Sequence, residues 1–323
     1  MNFIDNATKK ALLLVFISCV MLVSTAHAIY YPKTIRPFFE TCEDITPPSI
    51  WLHAEVLYWG AYQDGLSISD SFEDEGITPN GAETAFRSNS KNLCFDWKPG
   101  FRVGIGSGFI GRGGWGGIVS WTHLFSSARR TNDTTLRGHW KLHFDSIDAI
   151  AGLEILMNPC MNLNLVGGIS SVRIAQHFRT KFTENEESSS EVVITKAKDH
   201  NQSKFYGIGP KLGVEAEWQV KCGISLYGSL GGSILFGHMH VARDRCTSSP
   251  SLEELRHRSK SLNFCQTVAD AAIGIRWNRI WHCGFNASLE LGLEHHQFFN
   301  QNRVGECGDL YLDGLVGAIR FGF

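Results

Sequence analysis

YLDGLVGAIRFGF, residues Tyr311 to Phe323, is the stretch that decides the fold class. Read at a period of two, Leu315, Ile319, Phe321 and Phe323 fall on one face, and Gly314, Ala318, Arg320 and Gly322 on the other. Successive side chains of a strand point to opposite sides, so this alternation describes a strand between two different environments. A soluble sandwich strand shares the pattern, but it rarely puts its largest apolar groups last and ends on an aromatic residue. A terminal Phe on an apolar face points to the closing strand of an outer-membrane β-barrel, with lipid on one side and a polar interior on the other.

The opposite end of the chain agrees. Lys9 and Lys10 precede the apolar run Ala11 to Val23, followed by Ser24, Thr25 and the small-x-small triplet Ala26-His27-Ala28. This predicts a secretory signal peptide cleaved after Ala28. The apolar run is too short to cross a bilayer comfortably as an anchor, and no other segment reaches the ~18 apolar residues of a membrane helix. The expected organisation is a signal peptide over 1–28, a Pro-containing periplasmic lead-in over 29–50, and an outer-membrane barrel over 51–323. The leader takes two Lys and one Asp with it, leaving 28 basic residues against 31 acidic ones, a net charge of about −3. That balance argues against a nucleic-acid partner. A mean hydropathy near zero, with 33 Gly, 21 Phe, 9 Trp and 7 Tyr, suits a barrel that is apolar outside and polar inside.

Period-two segments recur along the chain. WLHAEVLYWGAY (51–62) sets Leu52, Ala54, Val56 and Tyr58 against His53, Glu55 and Leu57. CFDWKPGFRVGIG (94–106) sets Phe101, Val103 and Ile105 against Arg102 and Gly104, with a bulge or bend expected at Pro99, which cannot donate to the ladder. Trp115 to Phe125, Trp140 to Ile155, Asn162 to Phe182, Lys204 to Trp218, Gly223 to Val241, Leu262 to Trp277 and Cys283 to Phe299 follow. In Trp140 to Ile155 the apolar residues change phase, from Trp140, Leu142 and Phe144 to Ile147, Ala149 and Ala151, and a bulge is expected between them. Polar stretches at 63–92, 126–138, 183–203 and 242–261, and the shorter QNRVGECGD, read as five long loops alternating with four short turns. Ten strands with long extracellular loops and short periplasmic turns make an all-β, antiparallel, up-and-down transmembrane barrel. The partners this implies are outer-membrane lipid and the barrel-assembly machinery, with Phe323 as the assembly signal.

Segments WLHAEVLYWGAYQDGL, FDWKPGFRVGIG, FYGIGPKLGVEAEW, SLYGSLGGSILFG, LEHHQFFNQN and GDLYLDGL, recurring in order from Trp51 to the end, resemble the major-outer-membrane-protein family of Legionella and the environmental chlamydiae. The resemblance implies a pore-forming outer-membrane protein passing small solutes or ions, with no catalytic residues and no cofactor. The chain departs from large porins in its strand number, since ten strands enclose far less space than sixteen.

The inward phase carries Glu55, Asp148, Glu154, Glu215, Glu217, Asp270, Glu290 and Glu294 against Arg102, Lys211, Arg276 and Arg320. These twelve are candidate lumen-lining residues. They describe either a packed ion-pair network or a narrow aqueous path with an acidic, mildly cation-preferring lining. Arg320 is expected among Glu290 and Glu294. Trp115, Trp121, Trp218, Trp277, Phe321 and Phe323 fall on apolar phases near strand ends, as interfacial girdles do.

Cys19 leaves with the signal peptide, and Cys42, Cys94, Cys160, Cys222, Cys246, Cys265, Cys283 and Cys307 remain. They contain no CxxC pair, so a zinc or redox motif has no support; an even number in an oxidising compartment favours disulfides of unassigned connectivity. On the ten-strand path Cys42, Cys160, Cys222 and Cys283 fall towards the periplasmic rim and the other four towards the extracellular rim. Beside the family resemblance, that suggests disulfides within a rim or to other envelope molecules.

No enzyme is expected. Glu294 and His296 share a face while His295 points away, and His238 and His240 share a face without a third ligand. A ten-stranded outer-membrane protease is the alternative to weigh, with Asp244, Glu253, Glu254 and His257 as candidates that no motif singles out. A structural or adhesin barrel with an occluded lumen is the other, using the segments 63–92 and 242–261.

Overall fold

In the computed structural model of the chain the described residues are 50–65, 94–107, 115–132, 136–158, 160–188, 191–221, 223–249, 252–281, 285–302 and 308–322. The signal peptide, most of the lead-in, the segment 66–93 and Phe323 lie outside them. All the described residues belong to one unit, Thr46–Phe323.

Eleven strand segments form it: β1 (Trp51–Gln63), β2 (Cys94–Phe95), β3 (Trp97–Ser107), β4 (Trp115–Asn132), β5 (Leu136–Asn158), β6 (Met161–Ser188), β7 (Glu191–Lys221), β8 (Ile224–Ser249), β9 (Leu252–Ile280), β10 (Asn286–Asn302) and β11 (Gly308–Gly322). From β3 onward each pairs antiparallel with the next in the chain, β1 pairs with β3, and the short β2 pairs with β4. β1 joins β11, from Trp51 opposite Gly322 to Gln63 opposite Leu310, and β4 pairs with β5, so the sheet has no free edge. β2 and β3 are one wall strand, both laid on β4, with the register moving by one residue between Phe95 opposite Ala128 and Gly100 opposite Leu124. The extra residue falls within 96–99, the stretch holding Pro99, where a missing N–H costs the ladder least. Counted this way the fold is a closed antiparallel barrel of ten strands.

The outward phase is apolar across the middle of the wall. Leu52, Val56 and Tyr58 of β1, Ile208 and Leu212 of β7, Leu289, Leu291 and Leu293 of β10, and Leu315, Ile319 and Phe321 of β11 are all exposed on it. On β5 the band runs from Ile147 to Met157, and at ~3.4 Å per residue with a strand tilt near 40° this height is roughly 25 Å, that of a hydrocarbon core. Trp115, Trp121 and Trp218 are 75%, 42% and 55% exposed on this outer surface, as interfacial aromatic girdles are.

Two expectations fail, for physical reasons. The polar stretches 126–138, 183–203 and 242–261 are not loops. β4 and β5 continue to Asn132 and from Leu136, β6 and β7 to Ser188 and from Glu191, and β8 and β9 to Ser249 and from Leu252. Beyond the membrane both faces of the wall meet water, so alternation disappears from the sequence while the backbone ladder goes on. The second is the bulge within Trp140 to Ile155. Pairing of β5 is unbroken from Leu136 to Leu156 on β6 and from Leu136 to Leu153 on β4. Trp140, Leu142 and Phe144 point inward on the same phase as Asp148; the strand keeps its direction, and the chemistry of the interior changes with height.

Candidate functional site

The interior has two layers. Towards the tall hairpins, inward side chains from nine of the ten wall strands form an apolar plug. Leu57, Trp59, Leu124, Trp140, Leu142, Ile174, Phe205, Leu235, Met239, Leu310 and Leu312 are 0–1% exposed, and Phe144, Phe298, Val172, Val268 and Val316 only slightly more. Contacts run across the lumen rather than along the wall. The rings of Phe144 on β5 and Phe298 on β10 lie 5.6 Å apart, edge to face. Gln176 of β6 donates to Gln63 of β1 over 2.8 Å, and Trp140 Nε1 donates to the Gln176 carbonyl over 3.3 Å. Burying each large apolar side chain contributes about 1.5–3 kcal/mol relative to a water-filled lumen. The polar atoms of the two glutamines are buried in pairs, which avoids their desolvation cost.

Towards the short turns the same phase becomes charged. All twelve sequence-predicted lumen residues line a cavity of about 330 Å³ here. Arg276, 7% exposed at its side chain, meets Glu217 at 2.5 Å, Glu290 at 3.0 Å and Glu215 at 3.1 Å. Arg320 reaches Glu290 at 2.8 Å. A second network alternates in sign across the barrel. Arg102 of β3 contacts Glu55 at 2.5 Å and grips Glu294 of β10 with both terminal nitrogens, at 3.0 and 2.9 Å. Glu294 then meets His296 at 3.2 Å, His296 meets Asp270 at 2.6 Å, and Lys211 joins Asp270 at 3.3 Å to Asp148 at 3.2 Å. Glu154 accepts from Asn162 at 3.0 Å. A fork-to-fork Arg–carboxylate pair fixes geometry as well as charge, and every buried ion here has a counter-ion. Among the described carboxylates Arg320 is therefore held by Glu290, with its guanidinium 5.4 Å from the Trp51 ring centroid; Glu294, its other expected neighbour, is taken by Arg102 and His296.

Three inward residues were missed as members of this layer. His296 was weighed only as a metal ligand, yet it is the link between Glu294 and Asp270 and packs against Trp59, with the ring centroids 4.9 Å apart and the planes tilted by 49°. His53 bonds Glu55 at 2.7 Å. Tyr227 lies flat across the wall over Gly274 and Gly292, where a Cβ would stand 2.7 and 2.4 Å from its hydroxyl, and brings its ring to 4.9 Å from the Arg276 guanidinium. Only glycine leaves room for the tyrosine at these two places. Inward phase was the signal available for all three.

Asp244 and His257 pair with each other on the outer surface of the β8–β9 hairpin, and the side chains of Glu253 and Glu254 lie outside those described. His238 and His240 are exposed on that same outer surface, and His295 pairs outward with Asp313. Among the described residues no cluster of three metal-ligating side chains occurs. Cys160, Cys246 and Cys265 are free thiols. Cys42, Cys222, Cys283 and Cys307, and the Cys94 side chain, fall outside the described positions.

Residues 47–311 match the sequence model of a family described as the Legionella pneumophila major outer membrane protein precursor. None of the curated protein sequences matches the chain. Among solved structures it is similar to the outer membrane protease OmpT from Escherichia coli, at 12% identity over 86% of this chain and 98% of that one, with a TM-score of 0.45. It is also similar to the transport unit of the autotransporter AIDA-I from Escherichia coli (10%; 88% and 93%; 0.35) and to the attachment invasion locus protein Ail of Yersinia pestis (14%; 85% and 99%; 0.26).

Proposed function

The chain belongs to the family of the Legionella pneumophila major outer membrane protein, and on that premise we propose that it is a non-catalytic outer-membrane barrel whose lumen is shut at rest. It serves the envelope as a structural wall element and presents its tall hairpins at the cell surface. The observation that carries this reading is the contact between Phe144 and Phe298 across the lumen, within a plug drawn from nine strands. A cross-section closed by buried apolar side chains offers no path to a hydrated ion. The exposed thiols Cys160 and Cys265 are available for linkage to neighbouring envelope molecules.

The pore reading draws on a different observation. The cavity beneath the plug is charged, with eight carboxylates against four Lys and Arg among its predicted lining residues. A path through the barrel would take up cations from this side, and it would open only where the plug moves. Solute efflux from liposomes holding the purified protein separates the two. The shut barrel retains small sugars and ions; rapid, size-limited release by the unmodified chain would overturn it. Electrophoresis without reductant tests the linkage, which predicts species larger than the monomer that collapse when thiols are added.

A further inference from the structure

The outer surface of β5, β6 and β7 changes character where the apolar band ends. Above Ile147, Ile169 and Tyr206 the outward positions are occupied by Lys141, His143, Arg173, His177, Arg179 and Lys204. The register places Lys141 opposite His177, Arg179 between His139 and His200, and Lys204 opposite Ala175 beside them. Neighbouring strands are ~4.8 Å apart and same-face residues ~7 Å apart along a strand, so Lys141, Arg179 and Lys204 surround His177 within roughly 10 Å. Among the described side chains of β4 to β7 the outward carboxylate above the band is Asp145, and His123 already holds it at 2.7 Å. Lys141, Arg179 and Lys204 form no ion pair among the described residues.

The histidines register this excess. Partial burial, followed by the nearby cations Arg129, Lys141 and Arg179, holds His139 below its ordinary value. His143 and His177 are lowered in the same way, His177 by Lys204 and Lys141 after His200, and His143 by His123, Arg173 and Lys141 against the opposing Asp145. The opposite wall differs. Around β10 and β11 the corresponding outward positions carry Asp309, Tyr311 and Asp313, with Gln297 and His295 as their partners. Among the described outward positions just above the band, β5 to β7 thus carry clustered cations where β10 and β11 carry carboxylates.

We propose that this surface binds the phosphorylated headgroups of the lipid that surrounds the barrel in the outer leaflet. Its position meets both needs of such a ligand. Acyl chains lie against Ile147, Ile169 and Ile208 below, and the phosphates above meet Lys and Arg side chains that have no carboxylate partner among the described residues. Charge-assisted hydrogen bonds from ammonium and guanidinium groups to phosphate oxygens are strong and directional. The cations are spread over two rows of the lattice, which suits a headgroup carrying two phosphates better than one carrying a single phosphate.

The test uses the full barrel purified in detergent and titrated with diphosphoryl lipid A or with the same lipid after removal of its phosphates. The wild-type chain should prefer the diphosphorylated lipid. A triple variant, Lys141→Ser, Arg179→Ser and Lys204→Ser, should lose that preference and bind about a hundredfold more weakly, as expected for removing three headgroup-facing cations. The conservative triple, Lys141→Arg, Arg179→Lys and Lys204→Arg, should keep it. Arg258→Ser with Lys260→Ser, on the exposed β9 hairpin, removes cations elsewhere and should change little. Equal binding of the two lipids by the wild-type chain, which needs no variant to fold, would overturn the proposal. Equal loss in the hairpin control would overturn it too.

Discussion

The two layers of the lumen are built from the same phase of the same strands, yet one is mainly apolar, crossed by a glutamine bridge, and the other holds the ion pairs. On β10 the inward positions run Ser288, Glu290, Gly292, Glu294, His296, Phe298; on β5 they run Trp140, Leu142, Phe144, Ser146, Asp148. Direction along a strand is a matter of pleat, while polarity at each height depends on what faces it across the barrel. Carboxylates near the turns meet Arg276, Arg102 and Lys211. Apolar groups near the hairpins meet one another. The layers differ in how they should fail: removing one ion strands several counter-ions, whereas removing one plug residue leaves a hole.

The largest loss is therefore expected in the ionic layer. Arg276→Ala leaves Glu215, Glu217 and Glu290 facing one another and should cost about 3–5 kcal/mol, read as a lower urea midpoint of the barrel followed by tryptophan fluorescence. Replacing Arg276 together with Glu217 and Glu290 by apolar residues of similar size should recover most of that loss. A loss unchanged by this repacking would place the damage in shape rather than in charge. Phe298→Ala in the plug should cost slightly less, about 3–4 kcal/mol, because the cavity is lined by apolar groups that partly relax. It should also admit a small apolar ligand such as benzene, detectable as recovered stability.

Gln176→Ala deletes a polar bridge across the plug, removing the bonds that Gln63 Oε1 and Trp140 Nε1 make to the Gln176 side-chain amide. About 1–3 kcal/mol is expected by the same unfolding measurement. At the outer surface the effects shrink. His295→Ala breaks an exposed pair with Asp313 and should shift stability by less than about 1 kcal/mol, vanishing in high salt. If the outer pair proved as costly as the inner ones, the contrast between lumen and surface would be lost.

Much of this barrel was legible in the chain because lipid demands apolar groups at every second residue of its band. Leu289, Leu291 and Leu293, or Leu315, Ile319 and Phe321, admit one phase only, and pairing follows from it. The twelve charged residues of the cavity were placed by the same logic, being on the opposite phase. What escaped was whatever sits on a phase whose chemistry changes. Trp140, Leu142 and Phe144 looked like a phase error because an interior was assumed to be polar throughout. The extended hairpins of β6 to β9 looked like loops because a strand with water on both faces carries no alternation. Trp59 and Phe205 gave no warning either, since a contact across a lumen joins residues whose strands are not neighbours, and no sequence period records it.

Single-molecule conductance across a planar bilayer tests the closed lumen most directly. The unmodified barrel should insert without producing ion-conducting steps, while a variant carrying Trp140→Ser, Phe144→Ser and Phe298→Ser should produce them, with cations favoured under a salt gradient because of the acidic cavity beneath. Regular steps from the unmodified barrel, equal in size to those of the variant, would contradict the account.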